Sequence, residues 1–357
     1  MLKVESPKMF EKMQTDLSDT IDRLQRPLRD LRISVTDRCN LRCTYCMPRA
    51  IFDEKHAFLP RAELLSFEEI ERLAGVFIRL GVQKIRLTGG EPLMRHGIEK
   101  LVEKLAKLQN AAGEPVEIAL TTNAVLLSGK ARALKDSGLS RVSISLDGLS
   151  NDVFRRMGDT DISVTKVLDG IEAAGRAELT PIKVNMVVKR GVNDHEIIPM
   201  AEHFRNSGVI LRFIEYMDVG SSNGWKLDEV FTSGEVLARV QSAYCLLPGA
   251  SGYPGEVAQR WHYADGGGEI GLISSVTRAF CGACTRARLA TDGKLYTCLF
   301  ATRGMDLRAP LRAGEDNQLL ARLITDCWQL REDRYSQLRS TASGQSGKKI
   351  EMSYIGG

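Results

Sequence analysis

The sequence predicts an α/β chain: a partial, open barrel of six βα units of the TIM type, with a C-terminal extension closing the barrel mouth. Three observations predict it. Short β-rich runs recur at 31–35, 84–87, 116–120, 141–146, 182–188 and 211–216. Stretches with helical periodicity lie between them. After residue 216 the rhythm stops, and a region rich in Gly, Ser and Trp follows up to residue 268. Alternating strands and helices argue for a parallel sheet wrapped by helices, and six units are fewer than a closed eight-unit barrel needs.

In chain order, residues 1–29 read as an N-terminal arm or lid, helical in part, with Leu17, Ile21 and Leu24 near one face. Residues 30–217 read as the barrel. One helix opens at Ser66, where Glu69 three residues on completes a capping box, and Ile70, Leu73, Phe77 and Ile78 recur at helical spacing. A second covers 97–109 with Ile98, Leu101, Val102, Leu105 and Leu108. Further helices are expected at 130–137, 163–174 and 195–207. Residues 218–340 form a C-terminal region with a helix over 311–338. Residues 341–357 form a flexible tail ending in Gly356-Gly357.

The chain has 357 residues, 43% apolar and 26% charged, which is ordinary for a soluble globular protein. A balance of 49 basic against 45 acidic residues, net +4, argues little for nucleic acid as a partner. No apolar segment follows the first basic residues and no run of about 18 apolar residues occurs. Neither a secretory leader nor a membrane span is therefore expected. Clustered cysteines in a chain of this kind read as metal sites in a reducing cytoplasm.

The most informative stretch follows the first predicted strand. Cys39, Cys43 and Cys46 form C-x3-C-x2-C. A structural zinc site closes itself with four ligands. A cubane also takes four, so three cysteines leave one iron open for a small molecule. A second set, Cys281, Cys284 and Cys298, again stops at three. A rival reading joins both sets into one four-cysteine zinc site with two thiols left over. That each set independently stops at three favours two open sites. Cys245 and Cys327 are isolated and read as small buried hydrophobes.

Other motifs surround these. Thr88-Gly89-Gly90-Glu91-Pro92 ends the second strand, and glycine there lets a ligand approach the backbone. Ser145 ends the fourth strand. Arg286 and Arg288 alternate on a predicted strand, so both point one way and form an anion site. Arg32, Arg86 and Lys183 add charge on other strands, where burial is costly unless a ligand or counter-ion compensates. Together they imply a polyanion such as a nucleoside triphosphate, bound by side chains, since the sequence has no Walker A loop.

The Cys39–Cys46 stretch, with Tyr45 inside it, resembles the signature of the radical S-adenosylmethionine (SAM) enzymes. That resemblance implies a [4Fe–4S] cluster whose open iron is chelated by SAM. Over residues 30–357 the combination of motifs resembles the GTP 3′,8-cyclase family of molybdenum cofactor biosynthesis. The matching segments include Gly89–Pro92, Thr121-Thr122-Asn123, the runs 183–194 and 212–217, the second cysteine set and the terminal Gly-Gly.

The resemblance implies two [4Fe–4S] clusters and reductive cleavage of SAM to methionine and a 5′-deoxyadenosyl radical. That radical takes hydrogen from C3′ of GTP, and closure onto C8 gives 3′,8-cyclo-7,8-dihydro-GTP. The second cluster would hold the guanine. It further implies that Tyr45, Gly90, Ser145 and Met217 contact SAM. Arg32, Arg86, Thr121, Lys183, Arg286, Ala287 and Arg288 would contact GTP. Arg286, Arg288, Gly356 and Gly357 would serve catalysis, the two glycines as a tail entering the site. The implied partners are an electron donor, a second copy in a homodimer, and cyclic pyranopterin monophosphate synthase as product acceptor, with neither nucleic acid nor membrane involved. Two other readings use the same cysteines: a peptide-maturing radical SAM enzyme and a zinc-binding nucleic-acid module. The paired arginines disfavour the first, and the modest charge without aromatic-basic interleaving disfavours the second.

Overall fold

Six parallel strands follow one another in space in the order of the sequence: β1 (Asp30–Ser34), β2 (Lys84–Thr88), β3 (Glu117–Thr122), β4 (Arg141–Ser145), β5 (Lys183–Val188) and β6 (Ile210–Glu215). The computed structural model describes residues 20–253, 255–339 and 348–356. The six strands lie where the sequence predicts them. The later strands are β7 (Leu246–Pro248), β8 (Gln259–Tyr263), β9 (Glu269–Ile273), β10 (Arg286–Leu289), β11 (Lys294–Tyr296) and β12 (Met305–Asp306).

These later strands do more than close a mouth. β9 pairs in parallel with β6, and β10 pairs in parallel with β1, so the extension lengthens the parallel array at both edges. The antiparallel pairs β8–β9 with β7–β8, and β10–β11 with β11–β12, then finish the two ends. The sheet runs from β12 to β7 and stays open.

Strand side chains alternate between two faces. Leu31, Ile33, Ile85, Leu87, Ile118, Leu120, Val142 and Ile144 are fully buried against the helical layer. Their neighbours Arg32, Arg86, Ala119 and Arg141 therefore face the lumen. The helices follow from amphipathic runs of the expected kind. In α1 (Phe67–Arg79), Ser66 Oγ accepts from Glu69 N at 3.1 Å and Glu69 Oε2 accepts from Ser66 N at 2.7 Å, which is the predicted capping box. Its Ile70, Leu73 and Phe77 are buried in the core. α2 (Ile98–Ala106), α3 (Ala131–Asp136), α5 (Thr165–Arg176) and α6 (Ile197–Phe204) match the other predicted helices. The sequence reading missed α4 (Asn151–Gly158), a short polar helix whose N-cap Ser150 accepts from Val153 N at 3.2 Å.

Two expectations are corrected. The single helix over 311–338 is three: α8 (Arg308–Arg312), α9 (Asn317–Gln329) and α10 (Tyr335–Leu338), after α7 (Ser233–Gln241) earlier in the region. Gly314 at φ +84° breaks the run, and Asp316 restarts it by accepting from Leu319 N at 2.8 Å. Residues 20–29 are not a helical arm but a turn closed by a bridge between Ile21 and Pro27. Leu28 is fully buried there, and Trp328 donates to the Arg26 carbonyl at 3.0 Å. Leu17 lies outside the described residues. The last helix, α11 (Met352–Ile355), packs on β1.

Candidate active site

One cavity of about 340 Å³ runs through the lumen, and all six predicted ligand cysteines line it. The two trios sit at opposite ends of the parallel strands. Cys39, Cys43 and Cys46 follow the carboxyl end of β1, beside Gly89 and Gly90 after β2. Cys281 and Cys284 instead precede β10, whose first residue, Arg286, pairs with Asp30 at the start of β1. β11 returns antiparallel to β10, which brings Cys298 back to that same end. The first trio obeys the rule that ligands sit at the carboxyl ends of such strands. The second trio departs from it because a strand outside the βα rhythm delivers it.

The first loop is shaped by its own backbone. Cys46 N and Met47 N both donate to Cys43 O at 2.9 Å, and Leu41 N donates to Cys39 Sγ at 3.4 Å. Arg42 pins the loop by donating to the carbonyls of Cys39, Leu41 and Phe52 at 2.8–3.0 Å. Tyr45 OH donates to Asp147 Oδ2 at 2.7 Å. Gly90 packs so closely on the Arg38 carbonyl that no Cβ fits. Glu91 is buried, and it accepts from Leu93 N at 3.0 Å, from Thr122 Oγ1 at 2.7 Å and from Asn123 N at 2.7 Å. Those bonds consume most of its acceptor capacity, so it braces the loops after β2 and β3. They also commit Thr122, leaving Thr121 as the threonine beside Arg86 Nη1, at 3.1 Å.

The second trio is held from outside the barrel by a buried triad. Arg26 donates to Asp22 Oδ2 at 2.6 Å and to Cys281 O at 2.8 Å. Arg331 donates to the same Asp22 oxygen at 3.1 Å and to Cys284 O at 2.7 Å. These three side chains are at most 1% exposed. Nothing in the sequence reading assigned them, since Asp22 and Arg331 are far apart along the chain.

Burial pushes the thiols of Cys39 and Cys298 up to about 11 and raises Cys43 and Cys46 as well. Cys284 behaves differently. Burial pushes it up, but Arg286 and Arg331 outweigh that and bring it down to about 6. Arg286 Nε and Nη2 both donate to Cys284 Sγ at 3.4 Å. All six thiols are free of disulfides. Among the described residues no three His, Cys, Asp or Glu side chains converge closely enough to hold one metal ion. Each trio brings three soft thiol donors to one cavity, a donor set that suits an iron–sulfur cluster.

Between the trios the lumen is cationic. Arg32, Arg86, Lys183, Arg286 and Arg288 line it, together with Thr121, Tyr45, Gly90, Ser145 and Met217. Burial and mutual repulsion hold Arg32 well below the usual arginine range and bring Arg288 to about 10. Burial, then Arg212, lowers Lys183 to about 8. The structure separates one predicted contact from the rest: Ala287, fully buried in the core, alternates to the helix side of β10, so its side chain does not face the lumen. Sequence reasoning missed Lys84, Arg141, Asn185 and Arg212, which also line the cavity. The signal was present, since each sits on a predicted strand at a lumen-facing alternate position.

The C-terminal segment enters this site. Ile355 is fully buried, and Arg288 Nη1 donates to the Gly356 carbonyl. A Cβ on Gly356, at φ +76°, would collide with Thr88. Lys349 Nζ donates to Asp218 Oδ2 at 2.8 Å, and Ser222 Oγ donates to Glu351 at 2.7 Å, which ties the segment to the loop after Met217. Gly357 lies outside the described residues.

The sequence matches two family models: the Radical SAM superfamily over residues 33–204 and Molybdenum Cofactor Synthesis C over residues 209–337. It is 51% identical over 360 residues to the GTP 3′,8-cyclase of Acidothermus cellulolyticus, covering 94% of this chain and 98% of that one. It is 45% identical over 340 residues to the GTP 3′,8-cyclase of Staphylococcus haemolyticus, with the same coverage. Among solved structures, SuiB of Streptococcus suis bound to S-adenosylmethionine shares the fold at a TM-score of 0.63 and 12% identity, over 95% of this chain and 75% of that one.

Proposed function

The chain belongs to the GTP 3′,8-cyclase family of radical SAM enzymes, and we propose that its lumen holds GTP between two open iron–sulfur clusters. The reaction is conversion of GTP to 3′,8-cyclo-7,8-dihydro-GTP with cleavage of SAM, the first step of molybdenum cofactor biosynthesis. The observation that carries this reading is the single cavity shared by both cysteine trios and a wall of guanidiniums.

Cys39, Cys43 and Cys46 would hold the first cluster, and Cys281, Cys284 and Cys298 the second. When bound, the first cluster supplies the electron for reductive cleavage of SAM. Gly90, lacking a Cβ, lets the Arg38 carbonyl pack against it and so shapes the SAM end of the lumen, and Ser145 offers a hydroxyl at the end of β4. Tyr45 and Met217 complete that end. Arg32, Arg86, Lys183, Arg286 and Arg288 neutralise and orient the triphosphate nucleotide, with the Thr121 hydroxyl beside Arg86. Ala287 would contribute only through its backbone. Gly356 brings a backbone without a side chain up to Arg288, and Gly357 extends it. The docked tail also excludes water from the chemistry.

This reading requires a one-electron donor and a following enzyme, cyclic pyranopterin monophosphate synthase, to take the product. A homodimer in the cytoplasm is the assembly expected for the family. Among the described residues no helix is long and apolar enough to cross a membrane. Anaerobic incubation of reconstituted protein with GTP, SAM and reductant, followed by mass analysis, tests the reaction. Iron analysis should give about eight iron per chain for two cubanes; zinc alone would reject the assignment.

A further inference from the structure

Arg141 opens β4 on the lumen side, in register with a row of other cations. Arg288 pairs with Arg32, Arg32 with Arg86, Arg86 with Ala119, and Ala119 with Arg141. One rung across five strands thus carries four arginines, and Arg86 reaches across the small Ala119 to Thr121 and Ser143 at 3.1 Å. Lys183 and Arg212 line the same wall from β5 and β6.

Arg141 is only 8% exposed, and its Nη1 is buried without a hydrogen-bond partner. A guanidinium placed for packing alone would have its donors paired or reach water. The Nε of Arg141 is paired, to Glu117 on the neighbouring strand. Glu117 also meets Lys84 at 3.4 Å. Glu117 thus fixes one edge of the guanidinium while another donor stays open. Burial, then repulsion from Arg141, brings both Arg86 and Arg212 down to about 10, so Arg141 lies close enough to act on cations to either side of it, on β2 and β6. Arg212 Nε is likewise a buried donor without a partner, and Asn185 Oδ1 on the neighbouring strand is an unpaired acceptor. The second trio lies by β10, at the other flank of the lumen from β4–β6.

We propose that Arg141, aimed by Glu117, binds the outer phosphates of the nucleotide and makes the site select a triphosphate over a monophosphate. The inference rests on GTP occupying the lumen with its base toward the second trio. The outer phosphates then reach β4–β6, where the unpaired donors are. Arg141 is a binding residue and Glu117 a positioning residue.

The experiment measures equilibrium binding of GTP, GMP and inorganic tripolyphosphate to the anaerobic, cluster-loaded protein and to R141A, R141K and E117Q. R141A should weaken GTP and tripolyphosphate by about 10- to 100-fold, as for hydrogen bonds to charged groups, and GMP by less than about twofold. R141K should recover part of the GTP affinity, and E117Q should lose GTP selectively with the Arg141 charge intact. Equal losses for GTP and GMP, or no loss for either, would overturn the proposal. Should R141A fail to fold or to retain iron, the GTP-to-GMP ratio of R141K decides in the same way. Should the wild type not bind GTP at all, the reading of the substrate fails. The tripolyphosphate arm then still judges Arg141, and equal binding by wild type and variants overturns it.

Discussion

Arg288, deep in the lumen on β10, donates a hydrogen bond to the carbonyl of Gly356, one residue from the chain terminus. The pair couples the cationic wall to the C-terminal segment, and the glycine is required on two counts. Its φ of +76° is left-handed, and a Cβ would strike Thr88. The substitution G356A is expected to lower cyclisation on the order of 100-fold, the scale of a small misplacement at a reacting centre, while iron content stays unchanged. One bulky residue appended after Gly357 should do the same. Product analysis with parallel iron assays checks both, and unimpaired turnover by either variant removes the tail from the site.

Arg286 serves a different part of the lumen. It touches Cys284 Sγ at 3.4 Å and opposes the effect of burial on that thiol. R286A should abolish cyclisation of GTP yet leave SAM cleavage detectable, because the first trio lies at the other end of the strands. Chromatography of 5′-deoxyadenosine against cyclised product separates the two outcomes. Full production of both would exclude a role for Arg286.

Lys183 sets a pH dependence. Burial and Arg212 lower it from the ordinary 10.5 to about 8. Its positive charge is therefore present below about 8 and lost above, so GTP affinity should fall as pH rises through that value. Phosphate restores the proton, and binding near pH 8 should take up protons from the buffer. In the unliganded protein the sign is opposite for stability: the unfolded chain holds more protons between about 8 and 10.5, so this group favours folding more as pH rises there. Calorimetry in buffers of different ionisation enthalpy measures the uptake, which K183M should eliminate.

Asp22 neutralises two buried guanidiniums at once. D22N would leave Arg26 without its carboxylate and Arg331 with only Asp333 at 3.5 Å, at a cost of about 3–5 kcal/mol for breaking a buried ion pair. Because those arginines hold the carbonyls of Cys281 and Cys284, any iron bound at the second trio should be lost first. Denaturant titration with iron counting checks this; a variant of wild-type stability with full iron would contradict it.

Legibility followed the range of the interactions. The βα rhythm, the capping box at Ser66 and both cysteine trios are local patterns, and the structure has them where the sequence places them. The alternation that put Arg286 and Arg288 on one face applies equally to Arg141 and Arg212. They were missed because a charged residue at a strand end has an ordinary surface reading until the sheet curves around it. The turn at 20–29 was misread because its reason lies with Arg331 and Trp328, some three hundred residues away. Ala287 was grouped with its neighbours by sequence, although a strand sends adjacent residues to opposite sides. The break at Gly314 was visible as a glycine, but apolar periodicity on both sides concealed it.

The open sheet has a practical corollary. An interior wall built from like charges behaves as an ion exchanger wrapped in protein, and such a surface scavenges whatever multivalent anion its surroundings offer. Phosphate, pyrophosphate or citrate in a buffer should therefore raise the melting temperature and compete with the nucleotide. Preparations made in chloride and in phosphate would then differ in measured affinity without any difference in the polypeptide.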